Sequence, residues 1–226
     1  IASCLVGSEM CIRDSCDSSC IILSLLLSDI SLCGTSVSFS WYWLIFTESE
    51  GEVLFGDTVA IFGAGPIGLL TVIAAKAAGA SKIFVFDLSE ERLNKAKAIG
   101  ATHTINSGEL DPSDVINKHT DNGVDVAFEV AGVALTLKSA IDVTKARGTV
   151  VIVSIFGHPI EWNPMQLTNT GVKLTSTIAY TPTTFQQTID LINEGNLKVK
   201  DVITDEIELD DIVESGFEKL INDKSQ

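Results

Sequence analysis

Positive charge is scarce in this sequence. Only 15 lysines and arginines stand against 30 aspartates and glutamates, leaving a net charge of −15. A chain this acidic repels phosphate backbones and anionic lipid surfaces, which excludes nucleic acid and membrane surfaces as partners. Most of the acidity reads as a solvated face. Long hydrophobic runs are missing too. The most apolar stretch, residues 20–33, is interrupted by Ser24, Ser28 and Asp29. It falls short of the roughly 18–20 apolar residues that a spanning helix needs. No basic cluster precedes it, as one would in a secretory signal.

Cysteine disappears after Cys33. All five cysteines, Cys4, Cys11, Cys16, Cys20 and Cys33, lie at the start of the chain. Cys16 and Cys20 have a tolerable ligand spacing, but no histidine lies near and no second spaced pair follows, so the pattern does not make a zinc site. Histidine is limited to His103, His119 and His158. His103 falls on an expected strand and His119 on an expected surface helix, where structural or solvated roles are the ordinary reading. No metal ligand and no catalytic side chain is assigned.

Composition breaks near Gly51. Residues 1–50 hold every cysteine, two of the three tryptophans and one basic residue, Arg13. Within them, LVGSEMCIRD (residues 5–14) resembles the in-frame translation of a transposon-end adapter used in sequencing-library preparation. A run such as SVSFSWYWLIF fits neither a helix nor a strand period. Residues 1–50 are therefore read as a non-native, poorly structured segment, set aside from the fold.

From residue 51 onward, short apolar runs alternate with charged helical patterns. Strands are expected over 57–63, 82–87, 102–106, 124–132, 148–157 and 172–180, and helices over 66–79, 89–100, 113–120 and 134–144. Strands separated by helical crossovers imply a parallel sheet, and fully apolar strands imply burial on both faces. The expected fold class is α/β, a doubly wound parallel (Rossmann) sheet over residues 51–180. After residue 181 the pattern changes to a helix over 183–195, a half-exposed strand over 201–209 and a helix over 211–223. This tail, 181–226, holds no further strand–helix–strand unit. It is expected to pack away from the sheet, as a partial segment of a second domain.

One motif carries chemistry. Gly63-Ala64-Gly65-Pro66-Ile67-Gly68 is a G-x-G-x-x-G that follows a buried strand and opens a helix, and Asp87 ends the next strand. Gly63 allows the tight turn, Gly65 leaves room for a pyrophosphate, and Gly68 lets helix and strand pack closely. Pro66 suits the first helical turn. The helix start offers unpaired N–H groups and partial positive charge to a phosphate. Asp87 is placed to accept hydrogen bonds from both ribose hydroxyls. Its carboxylate would repel a 2′-phosphate, so the motif reads as a site for NAD rather than NADP, with Arg92 nearby as the one softening feature.

Beyond the motif, GDTVAIFGAGPIGLL, AKAAGASKIFVFDLSEERLNKAKAIGATHTIN, GVDVAFEVAG, GTVVIVSIFG and DVITDEIELDDIVESGFEKL resemble, in order and spacing, the medium-chain zinc-dependent alcohol and polyol dehydrogenases. The likeness is nearest to the butanediol dehydrogenases, with the sorbitol and threonine dehydrogenases next. It implies that Leu88 and Arg92 lie beside the adenosine ribose with Asp87. It also implies that Val130 and Ala131 form a wall beside the ribose and nicotinamide. Val153, Ser154 and Ile155 would form a floor under the ring, and backbone groups of Ile178 and Tyr180 would hold the carboxamide. Hydride transfer between a secondary alcohol or ketone and NAD, with zinc as Lewis acid, is the implied chemistry. The zinc ligands of that family come from a preceding domain that residues 1–50 do not resemble. The chain thus reads as the NAD-binding fragment of such an enzyme, inactive alone, cytoplasmic, and a homo-oligomer when intact. Two rivals are a non-catalytic NAD-binding module and a zinc-free quinone oxidoreductase-like relative; Asp87 argues against the latter.

Overall fold

The computed structural model describes residues 53–178 and 180–219, together with three short strands upstream: β1 (Cys4–Leu5), β2 (Met10–Arg13) and β3 (Cys20–Ile21). The remainder of residues 1–52, and with it the reading of that segment as apart from the fold, lies outside the described residues.

Six strands form the main sheet: β4 (Thr58–Phe62), β5 (Lys82–Asp87), β6 (His103–Asn106), β7 (Val124–Glu129), β8 (Thr144–Ile152) and β9 (Lys173–Ser176). Their order is β6-β5-β4-β7-β8-β9, and every neighbouring pair is parallel. The connections are helical: α1 (Pro66–Ala77), α2 (Glu90–Ile99), α3 (Pro112–His119), α4 (Ala134–Val143) and the short α5 (Met165–Thr170). Pro66 and Pro112 stand at first-turn positions, where the missing N–H costs nothing. Ser89 and Asp111 cap their helices by accepting backbone N–H groups.

The strands are apolar at successive positions because both faces are covered. Val59, Ile61, Ile83, Val85, Val126 and Phe128 face one core with Leu69, Val72 and Ile73 of α1 and Leu93 of α2. Ala60, Phe62, Phe84, Phe86, Ala127 and Val150 face the other core with Val115 and Ile116 of α3 and Leu137 and Ile141 of α4. The phenyl rings of Phe62 and Phe86 stack there at 4.7 Å. The expected doubly wound α/β sheet is the fold observed.

At the amino ends of the strands, Asp125 joins β4, β7 and β8. Its Oδ2 accepts from the Thr58 amide (2.7 Å) and hydroxyl (2.6 Å), and its Oδ1 pairs with Lys145. Burial pushes the Asp125 carboxyl up, but the Lys145 and Thr58 hydrogen bonds outweigh it and hold the group below its ordinary range. The same bond, opposed by burial and helped by nearby negative charge, raises the Lys145 ammonium.

Several boundaries differ from those expected: the fourth strand ends at Glu129 rather than 132, and the sixth at Ser176 rather than 180. The fifth strand begins at Thr144 rather than 148, because the pairing with β7 slips between Val124 and Val126 and the intervening residues bulge. Arg147 takes a left-handed φ of 64° within that bulge. The strand also ends at Ile152, since Val153 and Ser154 turn to donate their amides to the Glu129 carbonyl (2.9 and 3.2 Å).

Past residue 181 lies α6 (Pro182–Asn193), a 3₁₀ turn (Val199–Val202), β10 (Asp205–Glu208) and a π-helical segment (Ile212–Glu218) where a longer helix was expected. β10 runs parallel to β2. Leu197, Val199 and Val202 are buried in the α1-side core. Up to residue 202 the tail thus packs on helix α1 rather than on a strand of the sheet. Among the described residues no helix is long and apolar enough to cross a membrane.

Candidate functional site

The strand order reverses between β4 and β7. The chain runs outward from β4 through β5 to β6, then crosses back to β7 and continues to β9. In an open parallel sheet, the crevice outside the carboxyl ends at such a switch point is where ligands bind. The G-x-G-x-x-G turn sits there, at the end of β4.

Its three glycines answer to different constraints. Gly63 has a φ of 113°, closed to most L side chains, and its amide donates to the Phe86 carbonyl at 2.8 Å. A Cβ on Gly68 would lie 2.0 Å from the Gly63 carbonyl oxygen, so helix α1 touches the strand end through that bare position. Gly65 is unlike both. Its φ of −69° and ψ of −175° suit any residue, and a Cβ there would meet nothing within 4 Å. No protein contact requires its missing side chain, which leaves open space at the mouth of α1. That helix start has no side-chain cap and no acidic residue in its first turn, so its orphan amides face the crevice. Pro66 and Ile67 are half-buried beside it.

Asp87, at the end of β5, is tied into this turn. Its Oδ2 accepts the Ala64 amide at 2.7 Å and its Oδ1 the Ser89 amide at 2.9 Å. The carboxylate therefore fixes the glycine turn and the start of α2 together. Leu88 follows it and is exposed. Arg92 lies in the first turn of α2, its amide donating to the Ser89 hydroxyl at 3.4 Å.

Of the residues expected on the other half of the cleft, Val130 and Ala131 gather about Gly63, and Ser154 and Ile155 about Gly132. A Cβ on Gly63 would stand 3.2 Å from Val130 and 3.3 Å from Ala131, tighter than ordinary contact, and one on Gly68 would stand 3.4 Å from Val130. A Cβ on Gly132 would stand 2.8 Å from the Ile155 carbonyl oxygen, too close to be accommodated, and 3.5 Å from the Ser154 Cβ. Val153 is buried and Ile155 exposed. Ile178 is 85 % exposed, and Tyr180 packs its ring 6.0 Å from Phe185. Both follow β9, at the far side of the sheet from Asp87.

Sequence reasoning missed Glu129. The end of β7 pairs it with Phe62 on one side and Ile152 on the other. Its carboxylate Oε1 accepts from the Ala131 amide (3.0 Å), the Gly132 amide (2.9 Å) and the Thr136 hydroxyl (2.7 Å), and its Oε2 accepts from the Ser154 hydroxyl. An acid closing the apolar run Val126-Ala127-Phe128, followed by a small-residue turn, was the signal that could have marked it.

The histidines form no metal centre. His103 stacks on Phe84 at 4.4 Å and meets His119 edge-on at 4.4 Å, at the β6 edge of the sheet. Burial chiefly, and the nearby His119 and Lys82, push the His103 imidazole below its ordinary value. Among the described residues no group of three or more His, Cys, Asp or Glu side chains can hold a metal ion.

Comparison with known proteins gives a consistent set. The family model for zinc-binding dehydrogenases matches residues 66–194. The (R,R)-butanediol dehydrogenase of Bacillus subtilis is 42 % identical over 182 residues, 80 % of this chain and 52 % of the relative. The crystal structure of the 2R,3R-butanediol dehydrogenase from Bacillus subtilis superposes with a TM-score of 0.77 at 37 % identity, over 83 % of this chain and 54 % of that one. A zinc-binding dehydrogenase structure from Sinorhizobium meliloti 1021, bound to NADP, superposes with a TM-score of 0.64 at 29 % identity, over 70 % of this chain and 48 % of that one. The chain spans about half the length of the curated relatives it matches.

Proposed function

This chain belongs to the zinc-binding dehydrogenase family, and from that premise we propose that it is the dinucleotide-binding half of an oxidoreductase that moves hydride between NAD and a secondary alcohol or diol of the butanediol–acetoin kind. The 42 % identity to a butanediol dehydrogenase supports the substrate class. The observation that carries the cofactor is the Asp87 carboxylate, bonded to the Ala64 amide of the glycine turn at 2.7 Å. It puts a negative charge at the strand tip beside the open space over Gly65.

The chain's own residues divide the work. Gly63, Gly65, Pro66, Ile67 and Gly68 shape the turn and present the α1 amides to a pyrophosphate. Asp87 keeps lone pairs for ribose hydroxyls, with Leu88 and Arg92 alongside. Val130 and Ala131 wall the middle of the cleft. Val153, Ser154 and Ile155 lie beneath the nicotinamide, and Ile178 and Tyr180 border its carboxamide. NAD, when bound, supplies the hydride acceptor at its nicotinamide ring. No zinc-borne step is assigned to the described residues, which do not fit that ion.

In this reading residues 51–180 form the cofactor domain, and the segment after 181 leads back toward a catalytic domain that holds the zinc. A second copy pairs through the β9 edge, whose Lys173 and Ser176 are exposed. The cytoplasm is the proposed location, in keeping with a domain free of cysteine.

Titration of the chain with NAD+ and NADP+ by calorimetry tests the reading. NAD+ is expected to bind at least about tenfold more tightly, a difference near 1.4 kcal/mol. Equal or tighter NADP+ binding would overturn the role given to Asp87, and the NADP-bound relative makes that a real contest.

A further inference from the structure

Glu129 is 0 % exposed, yet it is a carboxylate at the carboxyl end of the strand beside the switch point. A charge buried so completely costs free energy unless its partners satisfy it. Here four donors converge on it: the Ala131 and Gly132 amides, the Thr136 hydroxyl and the Ser154 hydroxyl. Its main-chain carbonyl takes two more amides, those of Val153 and Ser154. One residue thus ties the turn after β7, the first turn of α4 and the exit of β8.

We propose that Glu129 is the positioning residue for the nicotinamide half of the cleft, an inference that rests on the dinucleotide reading above. Asp87 marks the β5 side as the ribose side of the adenosine. A dinucleotide that crosses the switch point must then lay its other half over the ends of β7 and β8. The donors to the Glu129 carboxylate all come from that side. The glycine turn has its own tether in Asp87. Two carboxylates therefore stand at the tips of the two strands that flank β4, Asp87 on β5 and Glu129 on β7.

Glutamine separates charge and geometry from bulk. Its amide oxygen can replace Oε1 and keep the Ala131, Gly132 and Thr136 donors. The amide NH2 then faces the Ser154 oxygen, and that hydroxyl must turn its hydrogen away. The reverse orientation points the NH2 at two backbone N–H donors and is disfavoured. Glu129→Gln thus keeps the volume while removing the charge and reversing the hydrogen bond with Ser154.

The test is calorimetric titration of the wild-type chain and Glu129→Gln with NAD+ and with ADP-ribose, which lacks the nicotinamide. NAD+ affinity is expected to fall about tenfold, with ADP-ribose affinity within about twofold of wild type. Parallel losses for both ligands, or no loss for NAD+, would overturn the positioning role while leaving the dinucleotide reading intact. Failure of the wild-type chain to bind either ligand would instead bring down the dinucleotide reading, and this inference with it. Thr136→Val removes one donor at nearly constant volume and guards against a misfolded glutamine variant. It is expected to show the same split at about two- to threefold, and an equal effect on both ligands counts against the proposal.

Discussion

Gly65 and Gly68 stand three residues apart in one motif, and the structure gives them opposite fates on substitution. In Gly68→Ala the new methyl would lie 2.0 Å from the Gly63 carbonyl oxygen and 2.9 Å from its carbon. Both are backbone atoms and cannot swing aside as a side-chain tip would. Alanine gains about 1 kcal/mol of helix propensity over glycine. Separating α1 from the end of β4 costs about 1–3 kcal/mol for ordinary overpacking and more for so close an overlap, so a net loss of about 2–3 kcal/mol is expected. At roughly 2–4 °C per kcal/mol for a chain of this size, Tm should fall by about 5–10 °C. Gly65→Ala meets no atom within 4 Å, and its backbone angles suit alanine. Restricting the unfolded chain should raise stability by about 0.4–1 kcal/mol. Its methyl would instead occupy the space kept for the pyrophosphate, and NAD+ affinity should drop at least about tenfold. Differential scanning calorimetry of the free chain, paired with NAD+ titration, reads both effects. Should Gly65→Ala melt as low as Gly68→Ala, or bind NAD+ as wild type does, the assignment of that open space to a ligand is wrong.

Two other perturbations have defined outcomes. Asp87→Ala should erase the preference for NAD+ over NADP+ in the same titration. It should also weaken both ligands somewhat, because the Ala64 and Ser89 amides lose their acceptor; a retained preference would place discrimination elsewhere. The depressed carboxyl of Asp125 stabilises the fold above its unfolded value of 3.8, and that share is lost as pH falls through the lower, folded value. Urea midpoints should therefore drop more steeply below about pH 4 in wild type than in Asp125→Asn. At pH 7 the variant should be less stable by about 1–3 kcal/mol, since the Thr58 amide and Lys145 lose a charged partner; superimposable pH profiles would refute the pairing as a source of stability.

The glycine turn and its carboxylate were legible in the sequence because local signals write them. A buried strand, three glycines at fixed spacing, a proline at the first helical turn and an acid at the next strand tip each act over a few residues, and the structure joins them at Ala64 and Asp87. The doubly wound sheet was legible for a similar reason: Val59, Ala60, Ile61 and Phe62 are apolar in unbroken succession because each face has its own layer of helices. The other half of the cleft was not. Glu129 looks like a polar strand end until Ser154, 25 residues later, donates to it. The shifted start of β8 depends on a slip in pairing against Val124 and Val126, which no periodicity within 144–152 announces. The packing of the tail on α1 was not legible because Leu197, Val199 and Val202 are too sparse to form a pattern, yet they close one core over that helix.

The two layers flanking the sheet are unequal in their rings. Phe62, Phe84 and Phe86 are buried in the layer with α3 and α4, and Trp162, the single tryptophan among the described residues, packs against that same layer. The layer with α1 and α2 is almost wholly aliphatic, with Phe128 its one buried ring. Indole emission from Trp162 consequently watches one side of the molecule. Loosening of α1 and its glycine turn would leave the surroundings of Trp162 unchanged, whereas heat capacity, amide exchange or a bound dinucleotide's own fluorescence would register it.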